Sequence, residues 1–114
     1  MDEAKNVQDG ISDTIDGATI DDYVIALSWL CLGMGRKTLL LENTDGANAL
    51  KYKILTYANE NGIVYEEVAE TEITAGNLAQ VILEHAYAKV VVQVKSSVGS
   101  TPAGYELDWV GNRN

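Results

Sequence analysis

The strongest constraint in this chain is a run of strict alternation that turns back on itself, ALKYKILTYANENGIVYEEVA from Ala49 to Ala69. In its first arm Leu50, Tyr52, Ile54 and Thr56 fall on one side of an extended backbone, and Lys51, Lys53, Leu55 and Tyr57 on the other. A period of two, with charge on one side only, marks a half-buried strand. Asn59, Asn61 and Gly62 then supply residues that tolerate the left-handed backbone of a tight reversal. The second arm, Ile63 to Ala69, is β-branched and aromatic until Glu66 and Glu67 break it toward solvent. The hairpin argues for a fold and says almost nothing about chemistry.

Further strands are expected on both sides of it. Ile20 to Leu32 is a long apolar stretch in which Tyr23, Ile25, Leu27 and Trp29 can share one face, and Gly33-Met34-Gly35 ends it in a turn. Lys37 to Asn43 is apolar on both sides at its centre, which places it inside a sheet. Thr71 to Ala86 is ambiguous: Leu78, Val81, Ile82 and His85 fall at helical spacing with Asn77 as a possible N-cap. Read instead as a strand, it turns Ala79, Val81 and Leu83 inward, and the surrounding strands favour this extended reading. Lys89 to Ser96, with Val90, Val92 and Val94 on one face, is the clearest strand of all. Tyr105 to Val110 sets Tyr105, Leu107 and Trp109 against Glu106 and Asp108. Seven short strands joined by Gly and Asn turns predict an all-β domain, a single antiparallel β-sandwich of the immunoglobulin-like or jelly-roll kind.

Residues 1–22 differ in texture, with seven acids against the single base Lys5. Val7, Ile11 and Ile15 recur at every fourth position, as on one face of a short helix, but Gly10 and Gly17 weaken a helix. We read residues 1–17 as an acidic, extended N-terminal arm, partly disordered or ordered by a neighbour, and residues 18–114 as the sandwich domain.

Composition narrows the partners. Seventeen acids against eight bases give a net charge of −9, which repels a phosphate backbone or an anionic membrane surface. Neither nucleic acid nor membrane is expected as a partner. No apolar run approaches the roughly 20 residues of a membrane span. The acidic start, MDEAKNVQDG, is unlike a secretory signal, so synthesis in a cytoplasm is expected. Cys31, the lone cysteine, lies in an apolar run and reads as a buried, inert thiol.

Chemistry is sparse. The one histidine, His85, follows Glu84 in an expected turn, and no serine sits in a GxSxG elbow. One histidine and one cysteine cannot build a four-ligand zinc site. Gly33-Met34-Gly35-Arg36-Lys37 leads into a strand rather than a helix, unlike a phosphate-binding loop. The acids from Asp13 to Asp22 lack calcium-loop spacing, and Glu66-Glu67 and Glu70-Glu72 suit a soluble sheet edge better than a hydrolytic pair. No enzyme activity, cofactor or metal is expected. The chain has no phenylalanine, so its aromatic bulk comes from six tyrosines and two tryptophans. Trp29, Trp109, Tyr57, Tyr65 and Tyr105 must help fill a core or an interface; exposed, they would form a glycan-stacking platform, the alternative reading as a carbohydrate-binding module.

The segments KTLLLENTDGANALKYKIL, EITAGNLAQVIL and YAKVVVQVKSSVGSTPAGYELDW resemble, in layout and texture, the small β-sandwich proteins of virus and bacteriophage particles, such as capsid decoration and head- or tail-associated proteins. The resemblance implies a non-enzymatic virion protein that contacts copies of itself and a major capsid or tail protein, reached after synthesis in the host cytoplasm. The apolar face of the arm, Val7, Ile11 and Ile15, together with Trp29 and Trp109, forms the candidate partner-binding set.

Overall fold

The computed structural model describes residues 11–18, 22–32, 34–85, 87–97 and 103–113. Among them lie eight strands: β1 (Ile11–Ala18), β2 (Val24–Leu30), β3 (Met34–Asn43), β4 (Leu50–Tyr57), β5 (Val64–Ile73), β6 (Leu78–Leu83), β7 (Lys89–Ser96) and β8 (Gly104–Arg113). They form two four-stranded antiparallel sheets, ordered β1-β8-β3-β6 and β2-β7-β4-β5. This order decides between the two expected sandwiches in favour of the eight-stranded jelly roll.

One register explains the topology. β1 pairs β8, β2 pairs β7, β3 pairs β6 and β4 pairs β5, and in each case the paired residues are centred on the reversal at Asn59 to Gly62. The chain is therefore a single long hairpin, rolled so that successive pairs alternate between two sheets. The rolling is sealed where β3 meets β8 and β4 meets β7. At the tip, Gly62 N–H donates to the Asn59 carbonyl at 2.8 Å and Asn61 N–H to the Asn59 side chain at 3.1 Å. Asparagine hydrogen bonds close this reversal, and the left-handed glycine expected there lies instead at Gly76, whose φ is +78°. With Asn77 N–H bonded back to the Thr74 carbonyl, Gly76 occupies the position of a type II turn that needs a positive φ. That turn separates β5 from β6 and makes the ambiguous segment extended, with Ala79, Val81 and Leu83 turned inward.

The inner faces supply the core: Leu39 and Leu41 from β3, Leu50, Tyr52 and Ile54 from β4, Val90, Val92 and Val94 from β7, and Leu107 from β8. β3 is the interior strand its two-sided apolar centre predicts. Two expectations are corrected. Ile11 to Gly17, read as arm, belong to β1, an edge strand paired to β8 from Ile11↔Gly111 to Ala18↔Gly104; Val7 and the rest of the arm, 1–10, lie outside the described residues. In β2 the pairing with β7 slips between Ile25 and Leu27. This bulge buries both Ala26 and Leu27 and turns Ile25 out, so Ile25 does not share the face of Leu27 and Trp29.

Candidate functional site

A concave site lies beside the hairpin tip. Thr56 of β4, Tyr65 and Glu67 of β5, Ala58 and Ile63 of the tip, and His85 and Tyr87 of the β6–β7 connection line a shallow hollow of about 330 Å³. Thr56 Oγ1 donates to Glu67 Oε1 at 3.4 Å, and the rings of His85 and Tyr87 meet edge to face with centroids 6.4 Å apart. Ile63 and Tyr65 stand mostly in solvent at its rim.

Beneath the hollow is a buried lysine. Lys37 belongs to the inward set of β3 with Leu39 and Leu41, and its side chain is fully enclosed. Its Nζ donates to the carbonyls of Gly35 and, at 2.9 Å, His85, and sits 5.1 Å from the centroid of the Tyr87 ring. Burial pushes the Lys37 ammonium below its usual pKa, against a smaller opposing effect of Cys31. The Cys31 thiol, also enclosed, lies 3.5 Å from the Tyr87 carbonyl, and burial pushes it up, holding it in the unreactive thiol form. The Tyr87 hydroxyl is sealed from solvent without a hydrogen bond of ordinary geometry, while burial and the nearby Glu67 carboxylate push its pKa up to about 12. Together these groups clamp the β6–β7 connection onto β3. Among the described residues no three of His, Cys, Asp and Glu converge to hold a metal ion.

A second polar cluster lies on the outer face of the β2-β7-β4-β5 sheet. The Tyr23 hydroxyl donates to Glu70 at 2.6 Å, and the ring lies 4.5 Å from Lys53 Nζ and 5.0 Å from Lys95 Nζ. Glu70 also pairs with Lys51 at 3.3 Å and Lys95 at 3.8 Å. The Tyr23 hydrogen bond and then Lys51 hold the Glu70 carboxyl below the usual range. The cluster satisfies its own charges and ties the start of β2 across the sheet.

The expected partner-binding tryptophans are in the core. Trp29 and Trp109 are only 6% and 9% exposed, with ring centroids 6.4 Å apart and planes inclined by 54°. Lacking phenylalanine, the chain uses them to fill the space between β2 and β8. Gly111 makes room, because a Cβ there would stand 2.8 Å from both Met34 Sδ and the Trp29 ring. Tyr105 is buried as well. Tyr57 and Tyr65 stand across from Val64 and Thr56, on adjacent positions and hence opposite faces, so these aromatics do not compose one stacking platform. Ile11 and Ile15 take backbone positions opposite Gly111 and Leu107.

What the surface does offer is apolar edges. Of the ten large apolar side chains standing exposed among the described residues, eight belong to edge strands or their flanks: Ile25, Leu30 and Leu32 at β2, Ile63, Val64 and Tyr65 at β5, and Leu78 and Ile82 at β6. The two remaining, Leu40 and Val110, lie on the outer face of the β1-β8-β3-β6 sheet. Sequence reading favoured the extended form of the segment that holds β6 but did not single out its exposed edge, and it passed over Lys37 as a buried group. The signal for the lysine was its place in the inward register of β3, and for β6 it was six successive residues without a charge.

Solved structures with the same fold are numerous and distant in sequence. The PBSX exported protein XepA matches with a TM-score of 0.68 at 12% identity over 91% of this chain and 37% of its own. PirA matches at 0.63 with 13% identity over 82% and 90%. A subunit of the disulfide-linked pili of Bacillus endospore appendages matches at 0.59 with 10% identity over 92% and 88%. At such identities the likeness is one of fold. No family model and no curated protein matches the sequence.

Proposed function

We propose that this chain is a non-enzymatic structural component of a virus or phage particle, of the capsid-decoration or head- or tail-associated kind. It acts through contacts with copies of itself and with a major capsid or tail protein, and it resides in the particle after synthesis in the host cytoplasm. The observation that carries this reading is the placing of exposed apolar side chains along sheet edges, where unpaired backbone groups also lie. An uncharged, unbulged edge such as β6 favours pairing with another chain, since edges of monomeric sheets are normally blunted by charge, proline or bulges. Two open four-stranded sheets leave four edge strands that another chain can meet, though the fold by itself carries no function.

The test is to purify particles from the producing culture on a density gradient and quantify this chain by mass spectrometry. The proposal expects co-sedimentation at a fixed ratio to the major shell or tail protein. Recovery of the chain only in the unsedimented fraction would overturn it.

A further inference from the structure

The four sheet edges are not equivalent. β5 carries Glu66, Glu67, Glu70 and Glu72, so two copies meeting there would set carboxylates against one another at about 5 Å, the spacing of directly opposed side chains. β2 is interrupted by its bulge, a device that twists an edge away from pairing. β1 carries Asp13 and Asp16. β6, Leu-Ala-Gln-Val-Ile-Leu, has no charge, no proline, no glycine and no bulge in its pairing with β3. The flanking Glu84 is paired to Arg36 at 3.5 Å.

We infer that β6 is a homodimer edge, which pairs antiparallel with β6 of a second copy about a twofold axis at Gln80. This rests on the reading of the chain as a self-assembling structural protein and names the surface it uses. The outward residues of β6 are Leu78, Gln80 and Ile82, all exposed. With Gln80 opposite the partner's Gln80, Leu78 falls opposite the partner's Ile82, and Ile82 opposite the partner's Leu78. On the inner side Ala79 meets the partner's Val81, and both are half-buried at the rim of the core. The strand is thus its own complement in this register: apolar meets apolar at both ends and amide meets amide at the centre. A slip by one residue would set Leu78 against an inward position and lose that match.

Charge favours this edge over the others. Apart from Glu84, which Arg36 pairs, the nearest acid on the outer face is Glu42 of β3, opposite Leu78. In the dimer it would lie three strand spacings, about 14 Å, from its counterpart's strand, beyond the roughly 8–10 Å over which salt transmits charge. At physiological salt a chain of net charge −9 can therefore meet itself along β6 with little repulsion. The pairing also satisfies the backbone groups of β6 that face away from β3.

Variants of the full chain with one added cysteine test the register, since Cys31 is enclosed and the unaltered protein is the control. Under mild oxidation Gln80→Cys should form a covalent dimer of twice 12.3 kDa. Leu78→Cys and Ile82→Cys should each give no covalent dimer alone and cross-link when mixed. In sedimentation velocity Gln80→Lys should lower the dimer association constant by up to about fivefold with an unchanged circular dichroism spectrum. Equal cross-linking of all the variants, unaltered association of Gln80→Lys, or a monomer at every concentration would overturn the inference. If association is weakened by Ser28→Lys in β2 and not by Gln80→Lys, the β6 edge is wrong while a particle protein remains. If the cysteines link as expected but particles lack the chain, the edge stands and the particle role falls.

Discussion

Gly111 illustrates how tightly single residues are set. A methyl group there would approach Met34 and the Trp29 ring at 2.8 Å, far inside normal contact. Gly111→Ala should therefore destabilise the fold by about 1–3 kcal/mol, the usual cost of overpacking, read as a lower midpoint in urea. Tyr87 makes the opposite case. Its hydroxyl is enclosed without a good partner, so Tyr87→Phe should leave stability at neutral pH unchanged or raise it by up to about 1 kcal/mol. The phenol's pKa is raised in the fold to about 12, so its contribution is complete below the unfolded value near 10 and lost as pH climbs through 12. Tyr87→Phe should accordingly lessen the alkaline loss of stability between those limits, measured by thermal melts against pH. Asp45 acts at the acid end. It accepts from Ala47 N–H at 2.9 Å and Asn48 N–H at 2.6 Å, and these bonds hold its carboxyl below the usual range. Its support is present above the ordinary carboxylate pKa and disappears as pH falls through the lowered value, an order an NMR titration of its carboxyl carbon would verify.

At the scale of elements, β1 is the strand whose removal is most informative. Deleting residues 1–10 leaves every described pairing intact, whereas deleting 1–18 strips the β1–β8 ladder and bares β8 as a new edge. The longer deletion should lower the melting temperature by more than about 10 °C, as expected if it removes roughly 2 kcal/mol or more from a domain of this size; the shorter should change it little. β3, β4, β6, β7 and β8 were legible in the sequence because period two runs through most of each, and β5 was legible as the second arm of the hairpin although its pairing with β4 slips twice. Leu39, Leu41, Val90, Val92, Leu107 and Trp109 all sit where period two puts them. β1 was not legible. Its two acids and its glycine resemble solvated chain, and its pairing depends on β8, nearly a hundred residues away. The tryptophans were legible as filling either a core or an interface but not as core alone, since alternation assigns a face without saying which face is covered. The candidate edge at β6 was hidden because a short uncharged run reads equally as core.

The molecule as a whole carries strong like charge, and its association should respond to salt. Raising ionic strength from about 0.01 M to about 0.1 M shortens the screening length from roughly 30 Å to roughly 10 Å. Long-range repulsion between copies of net charge −9 then weakens while apolar edge contacts persist. Sedimentation velocity should therefore find more dimer at the higher salt; a fall would mean that ion pairs, not apolar edges, hold copies together.

The bulge in β2 carries a consequence for chain length. Because Ala26 is a surplus residue in its ladder, its deletion would leave Val24, Leu27 and Trp29 facing in and Ile25 and Ser28 facing out, and the Tyr23 tether to Glu70 could persist. The same one-residue loss within β3 or β7 would invert half a strand and expel leucines or valines from the interior. Length variation in this protein is thus tolerated at Ala26 and forbidden a few residues away in space.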